Sequence, residues 1–312
     1  MFRPLFAFPI VLGVSYQTIV AFSQHSAVGG SGDEKEIQPN FCKSLLQSIQ
    51  RGNIEYTKAL IVDQEKGSRN GKSMTQCRDG VHRCALSLAA CSAGYVELAQ
   101  LLHDAGYSIN SLDKHNLSPL SYASWKGQIH SVKFLLEKGA NIFHRDDFGV
   151  SPIHKAAAFG HSVVMEQLLK EVHFRGGQMA LLRAVNFKTG SIMAPTEYNA
   201  QTLHQAPLHL VYRGAWHLSQ EKREEMLELL IAYGADPNIQ DKLGNTPLHY
   251  ASALGYVHSI LRLLQVGADC RIQNKDGERP SDMMGGLVIW KQALPWVLLR
   301  GWEVLAGSNE KK

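Results

Sequence analysis

Five prolines set the terms on which this 312-residue chain can fold. They stand at Pro119, Pro152, Pro207, Pro247 and Pro280, at intervals of 33, 55, 40 and 33 residues. Two intervals are a bare 33, and the others read as 33 with insertions of 22 and 7. The surrounding letters return with them, in "SPLSYASWKGQ", "SPIHKAAAFGH", "APLHLVYRGA" and "TPLHYASALGY". A fixed period of this length points to small units that stack, because no single unit can bury its own apolar face.

Each unit has a local physical reading. Proline is tolerated in the first helical turn, where its missing N–H would have no partner anyway. Ser118, Ser151 and Thr246 precede it as candidate N-caps. Small residues at Ala123-Ser124, Ala156-Ala157 and Ala251-Ser252 allow neighbouring helices to approach closely, and Gly127, Gly160 and Gly255 end each short helix. A second helix follows with apolar residues at helical spacing, as in Val132, Phe134, Leu135 and Leu136. Turns at Gly139-Ala140, Gly234-Ala235 and Gly267-Ala268 then lead into hairpin fingers.

On these motifs the chain resembles the ankyrin-repeat family, over about 80–282 with a weaker start near 41. The expected fold class is all-α with short β-hairpin or turn fingers, an ankyrin-repeat solenoid of helix-turn-helix units. Within an expected repeat domain at 41–282, weak repeats fall at 41–70 and 80–110 and clear ones at 113–145 and 146–169. An insertion at 170–205, expected to protrude as a loop, precedes repeats at 206–240 and 241–273 and a partial one at 274–284. Ser219 is the expected N-cap of a lengthened outer helix. A C-terminal capping helix at 285–306 and a polar tail at 307–312 complete the reading.

Composition narrows the function class. With 45% hydrophobic and 19% charged residues the chain can bury a core, and a net charge of +4 without a Lys/Arg cluster does not indicate nucleic-acid binding. The five cysteines lack the close pairing of zinc ligands, and their odd number argues against a disulfide framework. They read as small buried hydrophobes or surface thiols. Residues 1–24 combine one early cation, an apolar run from Leu5 to Val14 and small residues at Ala21 and Ser23, so a secretory signal or membrane anchor, an organelle-import segment and a non-targeting terminus are the readings. Residues 25–40 read as a flexible linker. A cytoplasmic location is expected, with the secretory route or membrane association through residues 1–23 as the alternative. Asn116-Leu117-Ser118 is a glycosylation sequon on an expected finger.

Catalytic patterns are not found: there is no G-x-S-x-G, H-E-x-x-H or G-x-x-x-x-G-K-[ST]. His154, His209 and His249 share one slot of the repeat, with Ser121 and Ser87 in that slot elsewhere, so they read as inter-unit bonding groups. No enzyme activity, cofactor or metal is expected. The resemblance implies a protein partner, with no nucleic acid and a monomeric chain. It places that partner on the first-helix palm, at Tyr122, Trp125, Lys126, Lys155, Phe159, Tyr250 and Leu254. Finger positions are Lys114, His115, Arg145, Asp146, Phe148, Asp241 and Lys242. Aromatic rings mixed with cations are what binding hot spots favour.

Overall fold

The computed structural model describes residues 39–67, 89, 96–190, 204–213 and 218–283. The N-terminal segment, most of the linker, the first helix of the 80–110 unit, the core of the insertion at 191–203 and the C-terminal cap and tail lie outside the described residues. Twelve helices are described: α1 (Pro39–Gln50), α2 (Ile54–Gly67), α3 (Val96–Asp104), α4 (Pro119–Lys126), α5 (Ile129–Glu137) and α6 (Pro152–Phe159), then α7 (Ser162–Asn186), α8 (Pro207–Arg213), α9 (Gln220–Ala232), α10 (Pro247–Ala253), α11 (Val257–Gln265) and α12 (Pro280–Met283).

They form two layers. In the inner layer α4 packs on α6, α6 on α8, α8 on α10 and α10 on α12; in the outer layer α5, α7, α9 and α11 follow one another. Inner helices α4, α6, α8 and α10 also pack on the outer helix of their own unit. Ala123, Ala156, Ala157 and Ala251 are fully buried at the seams, where a larger side chain would hold the helices apart. Val132, Leu135, Leu168, Leu230 and Leu263 seal the space between the layers. No strand occurs among the described residues, and the fingers are turns.

Local capping fixes the helix starts. Ser118 and Ser151 sit in extended backbone and accept from the amides of Ser121 and His154. Ser219 accepts from the Lys222 amide and starts α9, which has 13 residues against nine in α5 and α11.

The insertion departs from the loop expected for it. Outer helix α7 runs to Asn186 and turns at Gly177, whose φ of 66° and ψ of −168° suit glycine alone among common residues. Helix resumes because Leu181, Ala184 and Val185 find buried positions against the next unit. Register is then recovered. Asp113, Asp146, Asp241 and Asn274 each donate their amide to the carbonyl four residues on; Thr189 does the same to Gln205. Thr189 follows Asp146 by 43 residues, ten more than the period, and Gln205 follows Thr189 by 16. The 22 extra residues are thus split, ten into the outer helix and twelve into the fingertip.

Among the cysteines, Cys270 is a buried apolar side chain as expected, but Cys42 is held in a disulfide whose other sulfur lies outside the described residues. That corrects the reading of Cys42 as a buried hydrophobe or surface thiol.

Candidate partner-binding surface

The palm is held in place by a slot that the period makes common to all units. Three residues into each inner helix stand Tyr122, Lys155, Leu210 and Tyr250. The Tyr122 hydroxyl donates to Asp113 at 2.7 Å, the Lys155 ammonium to Asp146 at 3.0 Å and the Tyr250 hydroxyl to Asp241 at 2.6 Å. Each aspartate also accepts two amides of its own finger: Asp113 from His115 and Leu117, Asp146 from Phe148 and Val150, Asp241 from Leu243 and Asn245. One carboxylate therefore folds the finger and pins it to the helix. The unit with Thr189 in place of the acid has apolar Leu210 in place of the donor. Burial, together with the bond to Asp241, pushes the Tyr250 hydroxyl up, so it stays a donor.

This latch corrects four of the expected contact residues. Tyr122, Asp146, Lys155 and Asp241 are buried, at 6%, 1%, 6% and 7% exposure, and their polar groups point into the repeat. Tyr250 is half-buried and bonded inward. What remains on the surface is a different set. Lys114, Lys126, Lys242 and Leu254 are exposed; His115, Trp125, Arg145, Phe148 and Phe159 are half-buried. The Trp125 and Phe159 rings lie 5.9 Å apart across two units, and the Lys126 ammonium sits 4.2 Å from the Trp125 ring centre. Arg145 stacks at 3.9 Å on Phe187, which is also exposed.

Phe187, Lys188 and Arg213 were not foreseen as surface residues. Arg213 stands six residues after Pro207, as Trp125 does after Pro119, so counting within the unit reaches it. Phe187 and Lys188 follow the ten residues added to α7, and no count from a proline reaches them.

The histidines are structural. Nδ1 of His154 and of His249 accepts from the amides of Ser151 and Thr246, and Nδ1 of His209 from that of Ala206. The proton is then on Nε2, which donates to the carbonyls of Phe187, Asn245 and Glu278 from His154, His209 and His249 respectively. Burial lowers the pKa of all three, that of His154 to about 4, so the rings are neutral. No cluster of metal-ligating side chains occurs among the described residues. No described helix is long and apolar enough to cross a membrane.

Neighbouring fingertips are joined through their backbones, Asp147 to His115, Gly190 to Phe148 and Lys275 to Leu243. A Cβ on Gly149, at φ 70°, would strike the Gly190 carbonyl, so that joint requires glycine. The units are two-layered, a finger joins one to the next, and in three of them a histidine bonds to the following unit; family profiles match this stack. A profile described as ankyrin repeats (3 copies) covers 45–146, and one described as ankyrin repeats (many copies) covers 126–170 and 215–264. The chain belongs to the ankyrin-repeat family.

Its relatives differ in size. The putative ankyrin repeat protein YahD of Escherichia coli is 26% identical over 233 residues, covering 73% of this chain and 98% of its own. The human palmitoyltransferase ZDHHC13 is 29% identical over 211 residues, 61% of this chain but 32% of its own. The chain therefore spans about a third of the length of the palmitoyltransferase relatives it matches. Among solved structures, the human ASB11 ankyrin repeat domain superposes with a TM-score of 0.59 at 22% identity, over 82% of this chain and 96% of that one. The ankyrin repeat domain of Bcl-3 gives 0.56 at 20% identity, over 83% and 99%. At these identities the likeness concerns the fold.

Proposed function

We propose that this ankyrin-repeat protein is a non-enzymatic adaptor that binds another protein across its palm and fingertips. The observation that carries the reading is the Trp125–Phe159 pair, two half-exposed rings from adjacent units beside Lys126, with Arg145 in the finger row. Aromatic rings and arginine on a rigid surface supply contact area with little conformational entropy to lose. Capture of partners from native cells by the intact chain, repeated with Trp125→Ala/Phe159→Ala, tests it. Partners lost in the variant support the palm. An unchanged set of partners places the binding surface elsewhere.

A second reading makes the chain an exported or membrane-tethered ankyrin-repeat protein, entering the secretory pathway by residues 1–23. The disulfide at Cys42 favours it, since disulfides persist in oxidising compartments. The sequon gives a one-sided test. Asn116 donates its Nδ2 to Asp147, so the nitrogen that would carry a glycan is engaged in the folded finger. A glycosidase-sensitive mass in eukaryotic cells would establish secretory entry; a free thiol at Cys42 in protein taken from cells would remove its support.

A further inference from the structure

The inner helices and the central fingers carry their exposed charge mostly as cations. Inner helices α4, α6, α8 and α10 contain no Asp or Glu, and their cations are Lys126, Lys155 and Arg213. Outer helix α9 alone carries Glu221, Glu224, Glu225 and Glu228. Two finger carboxylates of the central units face inward, Asp113 bonded to Tyr122 and Asp146 to Lys155, while Asp147 is half-buried and accepts from Asn116. Lys114, Lys126 and Lys188 enter no ion pair among the described residues, and Arg145 meets the ring of Phe187. The strip formed by the fingers and inner helices of these units thus shows cations and rings, while Asp113 and Asp146 are spent holding the fingers.

Resting on the palm as the binding face, we infer that this strip docks an acidic, extended protein segment carrying apolar or aromatic anchor residues. Its carboxylates pair with Lys114, Lys126, Arg145 and Lys188; its anchors seat against Trp125 and Phe159. Charge complementarity selects this occupant, because a basic segment would meet four like charges against the one half-buried carboxylate of Asp147. The cations alternate with rings instead of running together, which suits a segment that mixes acids with apolar residues better than a phosphate backbone.

A display library of random linear peptides, selected on the intact chain, tests this. Binders are then measured on the wild type, on Lys126→Glu/Arg145→Glu, and on Phe159→Ala, with helix content checked for each. The expected binders are rich in Asp and Glu around one or two apolar residues. They should lose about tenfold in affinity or more on charge reversal, and weaken steeply with added salt. Phe159→Ala should weaken them without abolishing the salt dependence. Binders that depend on Phe159 but are neutral or basic would overturn the acidic partner and leave the palm standing as a binding face. Acidic binders indifferent to both variants, or no binders at all, would overturn both. Displacement of the peptides by a single-stranded oligonucleotide at comparable concentration would assign the strip to nucleic acid and overturn the inference.

Discussion

The units that open at Asp146 and at Asp241 are built from the same parts, yet their latches differ in kind. Asp241 is pinned by a neutral hydroxyl on a half-buried Tyr250, whereas Asp146 is pinned by the Lys155 ammonium with both side chains out of water, at 1% and 7% exposure. The geometry is shared because the period fixes it; the energetics are not. Removing the Tyr250 hydroxyl leaves Asp241 its two amides and takes away no counter-ion. An ammonium deleted from Asp146 leaves a buried charge without a counter-ion.

That contrast predicts the order of several effects. Lys155→Ala should destabilise the chain by about 3–5 kcal/mol in urea unfolding, as breaking one side of a buried pair does. Lys155→Tyr, which copies the neighbouring latches, should restore most of it. An equal loss in both variants would mean that the slot in this unit differs by shape and not by charge.

Acidification comes next. His154 binds its proton near pH 4 when folded and near 6.5 when unfolded, so the unfolded state takes up protons first as pH falls. Stability should be complete above about pH 6.5 and decline toward pH 4, by on the order of 3 kcal/mol from this site. His209 and His249 are lowered in the same direction and add to the slope. His154→Ser, which copies Ser121, should flatten the pH profile while lowering stability near neutrality; a profile as steep as before would remove His154 as its source.

Tyr250→Phe should cost about 1–3 kcal/mol, the range for a hydrogen bond to a charged group, measured on the same denaturant curve. A loss matching Lys155→Ala would erase the distinction between the two latches. Smallest in stability is Trp125→Ala/Phe159→Ala, expected well short of the about 3–5 kcal/mol that fully buried rings cost. A loss of that size would show that the rings serve the stack and not a partner.

Much of the stack was legible because its signals are local. Pro119, Ser118 and Gly127 mark a helix start and end within ten residues of each other, and the structure places cap, first turn and left-handed terminus there. The shared slot of His154, His209 and His249 was also legible, since only a periodic structure repeats a residue at its own period. The palm was legible as a set of positions but not as a set of contacts. Counting finds Tyr122, Lys155 and Tyr250 equivalent; it does not reveal that Asp113, Asp146 and Asp241, nine residues earlier, turn all three inward.

Sequence alone therefore determined the repeating unit and the starts of its inner helices, which rest on interactions within one period, and the period itself implied that units stack. Tertiary structure decided what the period leaves free. The bonds of Asn186 to Gly234 and Asp236, 48 and 50 residues on, help hold the far end of the lengthened α7 and leave Phe187 and Lys188 at the finger row. Burial of the latch residues and exposure of Trp125 and Phe159 likewise depend on the neighbouring unit. A side chain's exposure is set by what packs over it, and in a solenoid that comes from the next repeat.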